Sequence, residues 1–158
     1  MSRPRPTTGG APRPSNTVVM LREAFLALND LVIVRLAERG HAAVRPAHAA
    51  VFQYLDDTGT TVSTLAARAQ MTKQAMAELV AHLERHGYVV RVPDPADRRA
   101  KLVQPTATGR EVVAIAQELV PEVEQRIDVA LGPDRARALR HDLESLQRAA
   151  LGRPASPA

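Results

Sequence analysis

The chain has 158 residues, 45% of them hydrophobic but only 3% aromatic, and a formal net charge of +4. That length suits one packed domain, alone or with an oligomerisation extension, and the abundance of alanine favours helices packed through small aliphatic side chains. With no cysteine, disulfides, thiolate metal sites and thiol redox switches are excluded; with no long apolar run and no signal-peptide core, a soluble cytoplasmic protein that makes no use of membranes is expected.

The charge is unevenly placed. Residues 1–14 hold three arginines and no acid, and residues 63–101 hold seven Lys/Arg against four Asp/Glu. The segments 15–62 and 102–158 each carry one net negative charge. Positive charge gathered in this way is the footprint of phosphate binding.

In chain order, residues 1–16 open with MSRPRPTTGGAPRP, rich in proline, glycine and arginine, and are expected to be a disordered basic tail. A long helix is predicted over Thr17 to Arg39, its stripe formed by Leu21, Ala24, Phe25, Leu28, Leu31, Val32 and Leu36, with Gly40 as its stop. A second is predicted over Pro46 to Asp57, with proline near its first position and Val51, Phe52 and Leu55 buried. Two closely spaced patterns follow. Ser63 to Ala69 has Leu65, Ala66 and Ala69 as its inner face. From Thr72, a capping residue, Met76, Leu79, Val80 and Leu83 form a second stripe that ends near Gly87. Only Gln70 and Met71 separate the two, so the helices should cross steeply as a helix-turn-helix. Opposite the second stripe lie Gln74, Glu78, Ala81 and Arg85, small and polar enough to let the helix approach a groove.

The runs Tyr88 to Val92 and Lys101 to Val103 are joined by Pro93-Asp94-Pro95-Ala96-Asp97-Arg98-Arg99-Ala100. Turn residues between β-branched runs predict a hairpin, a wing with a cationic tip. Such a helix fits the DNA major groove, and arginines on a thin loop fit the minor groove.

MTKQAMAELVAHLERHGYVVR and DPADRRAKLVQPTATGRE resemble the recognition helix and wing of the multiple-antibiotic-resistance regulator (MarR) family. The wing signature Asp-Pro-x-Asp-x-Arg-x-x-x-Val, then Thr-x-x-Gly, is met by Asp94, Pro95, Asp97, Arg99, Val103, Thr106 and Gly109. Two positions depart from it: Pro105 stands where leucine is usual, and Gln70 where glycine is common. The resemblance implies a mainly α fold with a small β-hairpin wing. In that organisation 17–44 is a dimerisation helix, 45–105 the winged helix-turn-helix, and 106–151 further dimerisation helices. It also implies that Asp97 braces the wing, and that a small aromatic or anionic effector binds.

Beyond the wing, Thr106 is placed to cap a helix carrying Val112, Ala116, Leu119, Val123, Ile127 and Leu131, which Pro121 should kink or divide. Gly132-Pro133-Asp134 ends it and opens a last helix to about Leu151, with 152–158 frayed. Terminal helices with apolar stripes either cap the monomer or intertwine with those of a second copy; the second reading is favoured, because groove-reading helices work in pairs on two-fold sites.

The leading reading is therefore a homodimeric regulator of transcription that binds double-stranded DNA, acting as a repressor. Thr72, Lys73 and Gln74 would read base edges, with Ala75 and Ala77 allowing close approach. Ser63 and Thr64 would bond phosphates through hydroxyls and helix N-terminal amides. Arg98 or Arg99 would enter the minor groove, and Lys101 would anchor the wing. Glu78 would either accept from cytosine N4 or repel the backbone. The alternative is a winged helix used for protein contact, which the cationic wing and the lack of large apolar anchors on the outward face disfavour. His82 and His86, at i and i+4, have a zinc-compatible spacing but no acidic or thiolate third ligand, so no metal is expected. No nucleophile triad, paired carboxylates or phosphate-cradling loop occurs, so neither an enzyme nor a cofactor is expected.

Overall fold

A computed structural model describes residues 7–8, 11–12, 16–97 and 99–151. They fall into two compact units, one within Met1–Ala116 and one within Gln117–Ala158.

In the first unit, β1 (Thr7–Thr8) pairs antiparallel with β2 (Ala11–Pro12), where disorder was expected. The sequence between them is Gly-Gly, a hairpin dipeptide that a reading by composition passes over. Of the rest of the basic tail, only Asn16 is among the described residues.

Helix α1 spans Thr17–Glu38. Its N-cap is Asn16, whose side chain accepts from Val19 N at 3.0 Å, a cap the sequence reading did not name. At the other end Gly40, at φ +93°, lets His41 N reach Leu36 O at 2.8 Å. The second predicted helix is shorter than expected. A 3₁₀ turn (Pro46–His48) leads into α2 (Ala49–Tyr54), and Leu55 is already extended. The reason is tertiary: Arg68 Nη1 donates to Tyr54 O and to Asp56 Oδ2, both at 2.9 Å, so the segment 54–56 is held by a side chain from the next helix. The bond from Arg68 to Asp56 Oδ2, with one from Thr60, holds the Asp56 carboxyl below its usual pKa.

The helix-turn-helix is α3 (Val62–Arg68) and α4 (Lys73–Arg85). Most of both stripes is buried: Leu65 and Ala66 in α3, Met76, Val80 and Leu83 in α4, all at most 4% exposed, whereas Ala69 and Leu79, also predicted inward, are half-buried. Thr72 caps α4 by accepting from Ala75 N at 3.2 Å. Gly87, at φ +76°, ends it in a turn where Tyr88 N donates to Leu83 O. Gln70 sits in the turn at φ 52° and is the only described non-glycine residue with positive φ. A side chain there costs about 1 kcal/mol. Gln70→Gly is expected to raise the unfolding free energy by roughly that amount, read as a higher urea midpoint at unchanged slope.

The wing strands β4 (Val89–Pro93) and β5 (Lys101–Pro105) pair in the register Arg91 opposite Val103, Pro93 opposite Lys101. A third strand that the sequence did not signal, β3 (Thr60–Thr61), adds to the other edge of β5, giving the order β3-β5-β4. It ties the start of α3 to the base of the wing. Pro105 closes the ladder opposite Val89, and its missing donor is replaced one residue on: Thr106 N bonds Tyr88 O at 3.0 Å.

Thr106 also caps α5 (Ala107–Glu118), its Oγ1 accepting from Gly109 N at 3.1 Å while donating to Gly87 O at 2.6 Å. Val112 and Ile115 are buried beneath α5; Ile115, not the predicted Ala116, takes the second inward position.

In the second unit the predicted break occurs. Helix α6 (Val120–Leu131) starts just past Leu119, with Pro121 in its first turn. Gly132, at φ +83°, ends it, and Pro133 opens α7 (Pro133–Leu151). Arg140 of α7 bridges to Glu124 Oε2 (2.7 Å) and Asp128 Oδ1 (3.0 Å) of α6, which fixes the stagger of this antiparallel pair.

Candidate nucleic-acid interface

α4 leaves one side wet: Thr72, Lys73, Gln74, Glu78 and Arg85 are exposed, and Ala75, Ala77 and Ala81 are half-buried between them. Gln74 Nε2 donates to Glu78 Oε1 at 3.4 Å, one turn along the helix. The small alanines beside this pair leave nothing to hold a flat partner away.

Thr61 is the true N-cap of α3. Its Oγ1 accepts from Thr64 N at 3.1 Å and lies 2.9 Å from Thr64 Oγ1. The Thr64 amide, expected to face phosphates, is thus engaged within the turn, although Ser63 and Thr64 are both exposed. The capping signal lay two residues upstream of the Ser-Thr pair that drew attention in the sequence.

The wing tip is built by its aspartates. Asp94 Oδ1 accepts from Ala96 N at 2.8 Å, and Asp97 Oδ1 accepts from Arg99 N at 2.9 Å. Asp94 N then bonds Ala100 O, and Ala100 N bonds Asp97 O. Both acids are therefore committed to turn geometry, each binding the backbone two residues on. Arg99 and Lys101 are exposed. Arg98 lies outside the described residues.

Wing and helix-turn-helix enclose a cleft of about 320 Å³. Thr61, Val62 and Ser63 form one wall, and Lys73, Arg91, Arg99 and Lys101 contribute the charge. Sequence reasoning missed Arg91, because a single arginine in a β-branched run looks like an ordinary outward strand residue. Its Nε lies 3.4 Å from Glu84 Oε2 of α4, which braces strand against helix. Four cations and no described carboxylate line the cleft. A pocket of that composition attracts polyanions and repels acidic surfaces.

The two histidines with metal-compatible spacing are used otherwise. His82 Nε2 is 3.0 Å from Ala43 O, and His86 Nδ1 is 2.8 Å from His82 O. Their rings lie 4.3 Å apart, and His82 also stacks on His48 at 4.7 Å. This ladder fastens the C-terminal half of α4 to the turn ahead of α2.

The comparisons with known proteins agree with this geometry. The MarR family profile matches residues 44–100, which cover α2, the helix-turn-helix and most of the wing. The transcriptional regulator HosA of Escherichia coli O111:H- is 33% identical over 111 residues, 68% of this chain and 82% of that protein. The transcriptional activatory protein BadR of Rhodopseudomonas palustris is 32% identical over 88 residues, 56% of this chain and 49% of BadR. Among solved structures, the transcriptional repressor CouR bound to a 23-mer DNA duplex superposes with a TM-score of 0.67 at 26% identity, covering 84% of this chain and 93% of that one. A sequence relationship of this extent, joined to a winged helix with a cationic cleft between wing and reading helix, places the chain: it belongs to the MarR family and is a DNA-binding transcriptional regulator.

Proposed function

We propose that the protein works as a homodimeric repressor in the cytoplasm, binding a pseudo-palindromic operator and releasing it when a small aromatic or anionic effector binds. The observation that carries the DNA-binding geometry is the cleft. Lys73, Arg91, Arg99 and Lys101 ring a space bounded by the start of α3, beside the wet side of α4. A duplex laid along α4 would seat a backbone phosphate there, with the Ser63 hydroxyl adding a donor and the wing reaching toward the minor groove.

Dimerisation is supported by apolar side chains that water would otherwise meet. On α1, Val18, Met20, Phe25 and Val34 are each at least half exposed, and in the second unit so are Val129 and Leu146. A second copy carrying the same helices is the partner that symmetry provides. The effector rests on the family resemblance; the buried imidazole of His41 is 6% exposed beside the Tyr88 ring and already has the Glu111 carboxylate 3.8 Å from its Nε2. No described helix is long and apolar enough to cross a membrane.

The test is a titration of duplex DNA at several salt concentrations. Affinity should fall steeply with salt, as expected when phosphates are neutralised by lysine and arginine. Arg99→Ala should weaken binding by about 1–3 kcal/mol and lower the salt slope by about one, with the sedimentation of the free protein unchanged. Equal affinity for variant and parent would remove the wing from the interface.

A further inference from the structure

The chemistry of the Gln74–Glu78 contact goes further than general DNA binding, although it rests on that reading. Gln74, Ala77, Glu78 and Ala81 stand at i, i+3, i+4 and i+7 along the wet side of α4, and the two long side chains meet at 3.4 Å. A carboxylate only accepts, so it fixes the amide beside it: Nε2 must face Glu78, and Oε1 must face away, since two oxygens would repel. A primary amide carries two N–H groups. When the one trans to the carbonyl oxygen is engaged by Glu78, the other N–H and Oε1 remain side by side on one free edge. That edge, one donor beside one acceptor, is complementary to the N7 and N6 amine of adenine in the major groove. Guanine presents two acceptors there, one of which would confront Oε1.

We propose that Gln74 is the adenine-reading residue of each half-site and that Glu78 is its positioning residue. Glu78 holds the amide in the orientation that leaves the adenine-matching edge free. This settles the role of an acid that is otherwise out of place in a cationic surface.

Selection from a pool of random duplexes, followed by affinity measurement on single-base variants, tests the proposal with the full-length protein. The parent should select a half-site containing an A·T pair whose replacement by G·C lowers affinity about 10- to 100-fold. Gln74→Ala should abolish preference at that position while keeping non-specific affinity. Glu78→Ala should reduce the same preference several-fold, with non-specific affinity equal or higher because a negative charge has gone. Glu78→Gln, whose side-chain oxygen still accepts, should restore most of the preference. A residue with a merely structural role would weaken all sequences alike. A parent half-site without a discriminated adenine, or full preference retained by Glu78→Ala, would overturn the assignment and leave DNA binding standing. If the parent bound no duplex at any salt concentration, the underlying reading would fall with it.

Discussion

Gly109→Ala should cost about 3 kcal/mol or more of unfolding free energy, although alanine is the better helix former and the change adds one methyl group. Gly109 lies in the first turn of α5, buried against the end of the α4–β4 connection. A Cβ built there would stand 2.1 Å from the carbonyl oxygen of Tyr88 and 3.1 Å from its carbon. That oxygen cannot retreat cheaply, because it already accepts from Thr106 N at 3.0 Å. Either the wing base or the α5 cap must open. Thr108→Ala, one residue earlier on the exposed side, should change stability by no more than about 0.5 kcal/mol. Urea unfolding of both variants decides the matter, and a Gly109→Ala midpoint matching the parent's would show that the approach is not tight.

The same site explains part of the family signature physically. In Thr-x-x-Gly the threonine caps the helix and replaces the donor lost to Pro105, and the glycine gives the strand end room to pass. The pattern was legible in the sequence as a resemblance, but the reason for it was not, since neither residue type reveals which backbone will approach it. More broadly, whatever depends on local periodicity could be read in advance. The α4 stripe, the Thr72 cap, the Gly87 stop and the break at Pro121 all follow from chemistry within a few residues of each other. β3 was missed because two threonines carry no period. The early end of α2 was missed because it is imposed by Arg68, fourteen residues beyond Tyr54.

For the candidate site the division is similar. The outward residues of α4 and the cationic wing could be named from sequence because turn chemistry places Asp94, Asp97 and the basic tip. Arg91 needed the strand register, which turns it into the cleft. The Thr61 cap needed the true start of α3, one residue earlier than its apolar spacing indicates. On α1 only Leu36 of the predicted stripe is buried, and Val18, Met20 and Val34, exposed and apolar, lie outside that stripe: apolar residues surround this helix, so periodicity does not single out one side of it.

Acid should destabilise the first unit through one buried imidazole. His48 is 2% exposed, its Nδ1 accepts from Arg45 N at 2.9 Å, and its ring stacks on His82. Burial, reinforced by the nearby His82, Arg45 and His86, pushes its pKa down from 6.5 to about 4. The folded state therefore binds fewer protons than the unfolded chain between those values. The contribution of neutral His48 is fully present above pH 6.5 and declines as pH falls. By pH 4 about 3 kcal/mol has gone. Asp56, whose pKa is depressed below 3.8, loses its contribution only at still lower pH, so the two effects do not share a window. His48→Phe keeps an aromatic ring beside His82 but removes the titrating group and the acceptor for Arg45 N. It should be less stable than the parent at pH 7, and its unfolding free energy should fall less between pH 6.5 and 4.5. Denaturant curves across that range, for parent and variant, should therefore converge. Curves that stay parallel would mean that another group carries the acid sensitivity. The consequence reaches the DNA-facing helix, because His82, the middle ring of the ladder, belongs to α4 and contacts Ala43 O. A proton on His48 places a positive charge against that ring, so the same acid that destabilises the turn ahead of α2 loosens the support on which the outward side of α4 depends.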